Sequence, residues 1–145
     1  MSNVNEQLKM TGRLRIHLNG ELVRDIDNLV VTAGKGFVAT RMIGTGAGVM
    51  THMGVGTGTT DPAAGDTALE TQVGSRIAFT TSAAVSAAVV TYITAFAAGE
   101  GTGALTEAGI FNASSGGTML ARTEFSVVNK GAADTMTITW TVTVS

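Results

Sequence analysis

The clearest pattern in the chain lies at its C-terminal end. Met136, Ile138, Trp140, Val142 and Val144 alternate with Thr135, Thr137, Thr139, Thr141 and Thr143. Successive side chains of a strand point to opposite faces, so this stretch predicts a strand with one face in a core and a threonine ladder outside. The same period appears early, where Leu14, Ile16 and Leu18 alternate with Arg13, Arg15 and His17. Asn19-Gly20 comes next. Both residues tolerate the positive φ of a type I′ turn, which predicts a tight hairpin with a return strand over 21–26.

One segment reads as a helix, over residues 32–43. Thr32 is positioned to cap it, and Phe37, Val38, Arg41 and Met42 follow helical spacing. Gly34 and Gly36 weaken it, since glycine costs about 1 kcal/mol against alanine in a helix interior. The Gly-Thr-Gly-Ala-Gly run at 44–48 stops it. Further strands are expected over 50–55, 76–81, 89–96, 105–111 and 119–125. Residues 82–88 read as the loop of a hairpin, and 67–72 as one helical turn. Short strands with regular turn signals and a single helix predict an all-β fold, a β-sandwich of jelly-roll type. The expected organisation is an N-terminal arm over residues 1–12 and one domain over 13–145.

Composition narrows the function. Only 14% of residues are charged, against about a quarter in ordinary soluble domains. A surface so poor in charge suits a protein that packs against others. Net charge is −2, so a nucleic-acid footprint is not expected. No stretch approaches the roughly 20 apolar residues of a membrane helix, and the start of the chain lacks a secretory leader. The chain contains no cysteine, which excludes disulfides and thiolate metal sites.

Catalytic chemistry finds little support. Gly54-Val-Gly-Thr-Gly58 lacks the third spacing of a dinucleotide fingerprint, and Pro62 follows where a helix must open. Neither Lys35 nor Lys130 sits in a phosphate-binding loop. His17 and His52 have no cluster of further ligands around them in sequence. Asp61 and Asp66 lie on a loop too soft for acid–base work. No catalytic residue, cofactor or metal is expected. Met42, Met50, Met53, Met119 and Met136 fall on apolar phases and read as fillers of a core or interface.

Three segments carry a resemblance. THMGVGTGTTDPAAGDTALETQVGSR (51–76) resembles the start of phage tail-collar fibre domains, in which a strand leads through a Gly/Thr/Pro loop to a leucine, an acidic turn and an arginine. The matching positions here are Leu69, Glu70 or Gln72, and Arg76. EAGIFNASSGGTMLARTEF (107–125) is similar to the strand–turn–strand that ends such domains. LNGELVRDIDNLVVTAGKGFVATRM (18–42) resembles the opening of small capsid-associated phage proteins. The resemblance implies a structural protein of a tailed-phage virion, made in the host cytoplasm, with no enzymatic role.

A compact module with a polar arm before it and no shaft after its last strand suits a capsid decoration (cement) protein that binds the major capsid protein. A tail-fibre adaptor, tail-collar or baseplate component is the alternative, and a receptor-binding module a weaker one. A homo-oligomer, dimer or trimer, is expected. Val4, Leu8 and Met10 are the apolar positions of the arm. Together with Arg13 and Arg15 they are the expected partner contacts.

Overall fold

The computed structural model describes residues 6–46 and 48–145, with Ser82 described by its backbone alone. The elements in chain order are β1 (Met10–Leu18), β2 (Glu21–Val30), α1 (Thr32–Arg41), β3 (His52–Gly56), β4 (Ile77–Ala78), β5 (Thr81–Ser86), β6 (Val89–Phe96), β7 (Gly103–Phe111), β8 (Met119–Lys130) and β9 (Met136–Val144). The class is the expected one, all-β with one short helix. The strands form a single curled antiparallel sheet in the order β4-β3-β7-β8-β2-β1-β9-β6-β5.

Two corners curl it. The long strand β2 pairs with β1 from Glu21 to Asn28, then with β8 through Leu29 and Val30. At the other corner, β4 pairs with β3, the chain bends through Phe79-Thr80, and β5 pairs with β6. Strands that switch partners in this way fold one sheet over a common interior. That interior holds Leu14, Ile16, Phe96, Leu105, Ile110, Leu120, Ile138 and Trp140.

The alternation at the C-terminal end behaves as read. Met136, Ile138, Trp140 and Val142 are buried, and the intervening threonines are half-exposed. Trp140 is fully enclosed, and its indole N–H donates to Asn28 Oδ1 at 2.7 Å. Asn28 reaches that ring by lying over Gly12, where any side chain would strike it. The hairpin turn is also as read, with φ of 50° at Asn19 and 83° at Gly20.

Several local expectations are corrected. The arm is shorter than 1–12: the backbones of Lys9 and Ser145 already exchange both hydrogen bonds, at 2.6 and 2.8 Å, and β1 begins at Met10. Helix α1 ends at Arg41. Its N-cap is Val31, whose side chain carries no acceptor, and Thr32 stands one position inside the helix with its amide donating to Ala64 O at 2.8 Å. Gly34 lies so close to the Leu120 carbonyl that a Cβ would collide with it. The glycine that weakens the helix is thus what lets it pack on β8. Met42 is 86% exposed, outside any core, while Met50, Met53, Met119 and Met136 are buried. Residues 82–86 are strand, with a register irregularity between Thr81 and Ala84 and Ala84–Ser86 paired to β6, and the chain turns at Ala87-Ala88.

Two substitutions test this frame. Trp140→Ala should lower unfolding free energy by about 3–5 kcal/mol in chemical denaturation, the usual cost of removing a large buried ring. Gly20→Val should cost about 1–2 kcal/mol, because a β-branched residue resists positive φ, and should lower the thermal midpoint without altering the circular dichroism of the folded state.

Candidate interaction surface

The glycine-rich segment from 57 to 76 is a clamped second layer over the outer face of β7 and β8. Two residues absent from the sequence-based site set hold it. Glu107, on β7, is completely buried and accepts hydrogen bonds from three loop amides: Gly58 at 2.7 Å, Glu70 at 2.9 Å and Thr71 at 2.8 Å. Arg122, on β8 and 2% exposed, donates to Glu107 Oε1 and to Asp66 Oδ2, both at 3.1 Å. The two positions are diagonal neighbours across the β7–β8 ladder, where Glu107 faces Glu124 and Arg122 faces Gly109, close enough for long side chains to meet.

This carboxylate explains why 67–72 is not a helical turn: the Glu70 and Thr71 amides go to Glu107 instead. The resemblance positions take their places around it. Leu69 packs on Phe111 and Met119. Arg76 lies 3.4 Å over the Phe111 ring and donates to the carbonyls of Ala113 and Gly116 at 3.0 and 2.7 Å. The Thr60 hydroxyl and Thr59 amide hold the exposed Glu70 carboxyl below the ordinary carboxylate range. Every partner of Glu107 is structural, so its chemistry is that of a buried staple. Among the described residues, no group of three or more histidine, aspartate and glutamate side chains is placed to hold a metal ion, and no helix is long and apolar enough to cross a membrane.

The surface that stands out lies at the bent corner. An open cleft of about 790 Å³ separates β5 from α1 and the segment 49–51. Its walls are mostly apolar and include Met10, Phe37, Val49, Tyr92, Val142 and Val144. Register explains this. Val142 faces Val90 and Trp140 faces Tyr92 across the β6–β9 ladder, so the face that is core at Trp140 continues outward to Val142 and Val90. There α1 covers it only in part. Phe79 and Tyr92, both on its wall, meet in a tilted ring contact with centroids 5.1 Å apart. Val49 on its wall is 62% exposed, and Met42, Ile43 and Val85, which lie within two residues of the lining positions Arg41 and Ala83 in the chain, are 86, 74 and 72% exposed. Large apolar side chains left in water around one depression mark an interaction site.

The expected partner contacts divide. Val4 lies outside the described residues. Leu8 is 75% exposed, and Met10 lines the cleft. Arg13 and Arg15 are on the other face of β1 and are engaged there: Arg13 with Asp25 at 2.7 Å and Asp27 at 3.0 Å, Arg15 with Asp25 at 3.6 Å. The Arg13 hydrogen bond holds the Asp25 carboxyl below its ordinary range. These exposed pairs dress the outer hairpin face and contribute little to stability. His52 Nδ1 sits 2.7 Å from the Thr51 hydroxyl, and His17 is half-buried on β1.

Comparison of the chain with protein-family models, with curated proteins and with solved structures gives no match.

The staple carries a prediction. Glu107→Gln and Arg122→Leu each leave a buried partner uncompensated, which costs about 3–5 kcal/mol. In limited proteolysis of either variant, the first cuts should fall within 57–76 while the β1–β9 ladder still resists.

Proposed function

We propose that this protein is a structural component of a tailed-phage particle, a capsid decoration protein that binds other virion proteins and carries out no reaction. The observation that carries the reading is the apolar cleft with its exposed mouth, on a chain with very few charges. Such a surface is costly in water and is stabilised by a partner. The resemblance of residues 18–42, 51–76 and 107–125 to phage particle proteins supplies the class of partner. Glu107 and Arg122 support it further, because they give the second of these segments a purely architectural role.

Met42, Ile43 and Val49 form the expected contact with the capsid lattice. Ile43→Asp together with Val49→Asp should leave the thermal midpoint nearly unchanged, since both side chains are already in water. The pair should weaken binding to particles lacking the protein by about a hundredfold, the effect of putting charge into an apolar contact. The assay is occupancy on purified particles, read by gel densitometry. Hundreds of copies per particle fit the capsid reading. About a dozen would move the protein to the tail, and unchanged occupancy by the double variant would remove this surface from the contact.

A further inference from the structure

We propose that Asn19 is a chemical modification site, shielded while the β8–β9 turn holds its side chain and converted by water to a carboxylate once that hold is released, after which the hold does not re-form. The inference concerns one end of the β1–β9 ladder and is independent of the particle assignment.

The reactive pair is plain in the sequence. Asn19-Gly20 is the one place in the chain where glycine follows asparagine. An asparagine side-chain amide is open to attack by the backbone nitrogen of the next residue, and glycine, with no Cβ, leaves that approach unhindered. The nitrogen of Gly20, its proton given up to hydroxide, bonds to Asn19 Cγ. The Cγ–Nδ2 bond breaks, ammonia leaves and a cyclic imide closes. Water then opens the imide at either carbonyl, which gives aspartate or isoaspartate. Water is consumed, ammonia is released, and nothing is oxidised or reduced. Both residues are exposed, and the space that a Cβ on Gly20 would occupy is empty, so water reaches the site.

The fold sets a condition on this reaction. The β1–β9 ladder runs down to Leu18 opposite Met136, and the Asn19 backbone adds one more rung, its N–H donating to Thr135 O at 2.8 Å. The side chain is then gripped at both ends. Asn19 Nδ2 donates to Asp134 Oδ1 at 3.0 Å, and Asn19 Oδ1 accepts from the Thr135 N–H at 3.0 Å. Asp134 is fixed in turn, since its other oxygen accepts from the Gly131 N–H at 2.7 Å. The Asn19 amide, followed by the Gly131 amide, holds the Asp134 carboxyl below its ordinary range. Turning Cγ onto the Gly20 nitrogen breaks both side-chain bonds. Two ordinary hydrogen bonds slow the reaction by about tenfold to a hundredfold.

The same contacts make the change one-way. Aspartate at this position has no donor for Asp134 Oδ1. Two carboxylates would then stand where amide and carboxylate now meet at 3.0 Å, and like charges that close resist sharing a site. Isoaspartate adds a backbone atom to a turn whose φ values of 50° and 83° belong to two-residue type I′ geometry,. Either product loosens the β1–β2 turn from the β8–β9 turn.

Peptide mapping by mass spectrometry follows Asn19 in the full-length chain, kept in mildly alkaline buffer with and without guanidinium chloride. The folded parent should react about tenfold to a hundredfold more slowly than the unfolded one. Asp134→Ala, its fold checked by circular dichroism, should react about tenfold faster than the parent in native buffer and at the parent's rate in denaturant. Asn19→Asp should lower the thermal midpoint. Asn19→Asp combined with Asp134→Asn should recover most of that loss, because donor and acceptor change places while the Gly131 and Thr135 N–H groups still meet oxygen. Should Asp134→Ala fail to fold, the comparison of native and denatured parent and the exchanged pair decide the matter. Reaction of the folded parent as fast as the unfolded one, a folded Asp134→Ala chain no faster than the parent, or an exchanged pair no more stable than Asn19→Asp would each overturn the proposal.

Discussion

Parity governs this fold. All eight neighbouring pairs in the nine-strand order are antiparallel, so the two edge strands, β4 and β5, run in the same direction. They are also consecutive in the chain, separated only by Phe79 and Thr80. Side-by-side parallel pairing needs a crossover of about a dozen residues, so no ladder can form between them. The sheet closes through one bent strand that serves β3 with its first half and β6 with its second. A bent strand leaves a gap where its second half has lost the first partner. The cleft, the helix lying partly across it and the bare side of β5 all follow from that closure.

Much of this was legible in the sequence wherever one face is buried and the other wet. The threonine alternation of β9, the β1 alternation and Asn19-Gly20 were read correctly because period and turn chemistry agree there. β5 was read as a loop because Thr-Ser-Ala-Ala-Val-Ser has neither strong strand propensity nor alternation. Its strand state comes from β6, a tertiary effect with no local signature. Thr32 was a reasonable cap by residue type, but the helix begins one residue earlier, with Val31 at the cap position and the Thr32 amide donating to Ala64, distant in sequence.

The candidate surface was half legible. Met10 lines the cleft, and Leu8, two residues before it, is exposed. Arg13 and Arg15 carried a charge signal, and both pair with Asp25 on the outer hairpin face. Glu107 and Arg122 gave no signal at all. Each sits in a strand pattern where a charge reads as solvent-facing, and only the overlying loop turns that face into an interior. An acid at an outward strand position opposite a glycine-rich loop could have raised the question, since loop amides need acceptors when buried.

The ladder between β1 and β9 also has a consequence in time. It joins Met10 to Val144 and Leu18 to Met136, so β1 waits for β9. The uncharged hairpin β5–β6 waits too, because among the described residues β9 is the only other strand that β6 pairs with. While the chain emerges from the ribosome, an apolar and uncharged ribbon stands without its neighbour. Topologies dominated by such distant pairings fold slowly and expose adhesive intermediates. For this protein, the hazard of sticking to the wrong chain is greatest before β9 is translated.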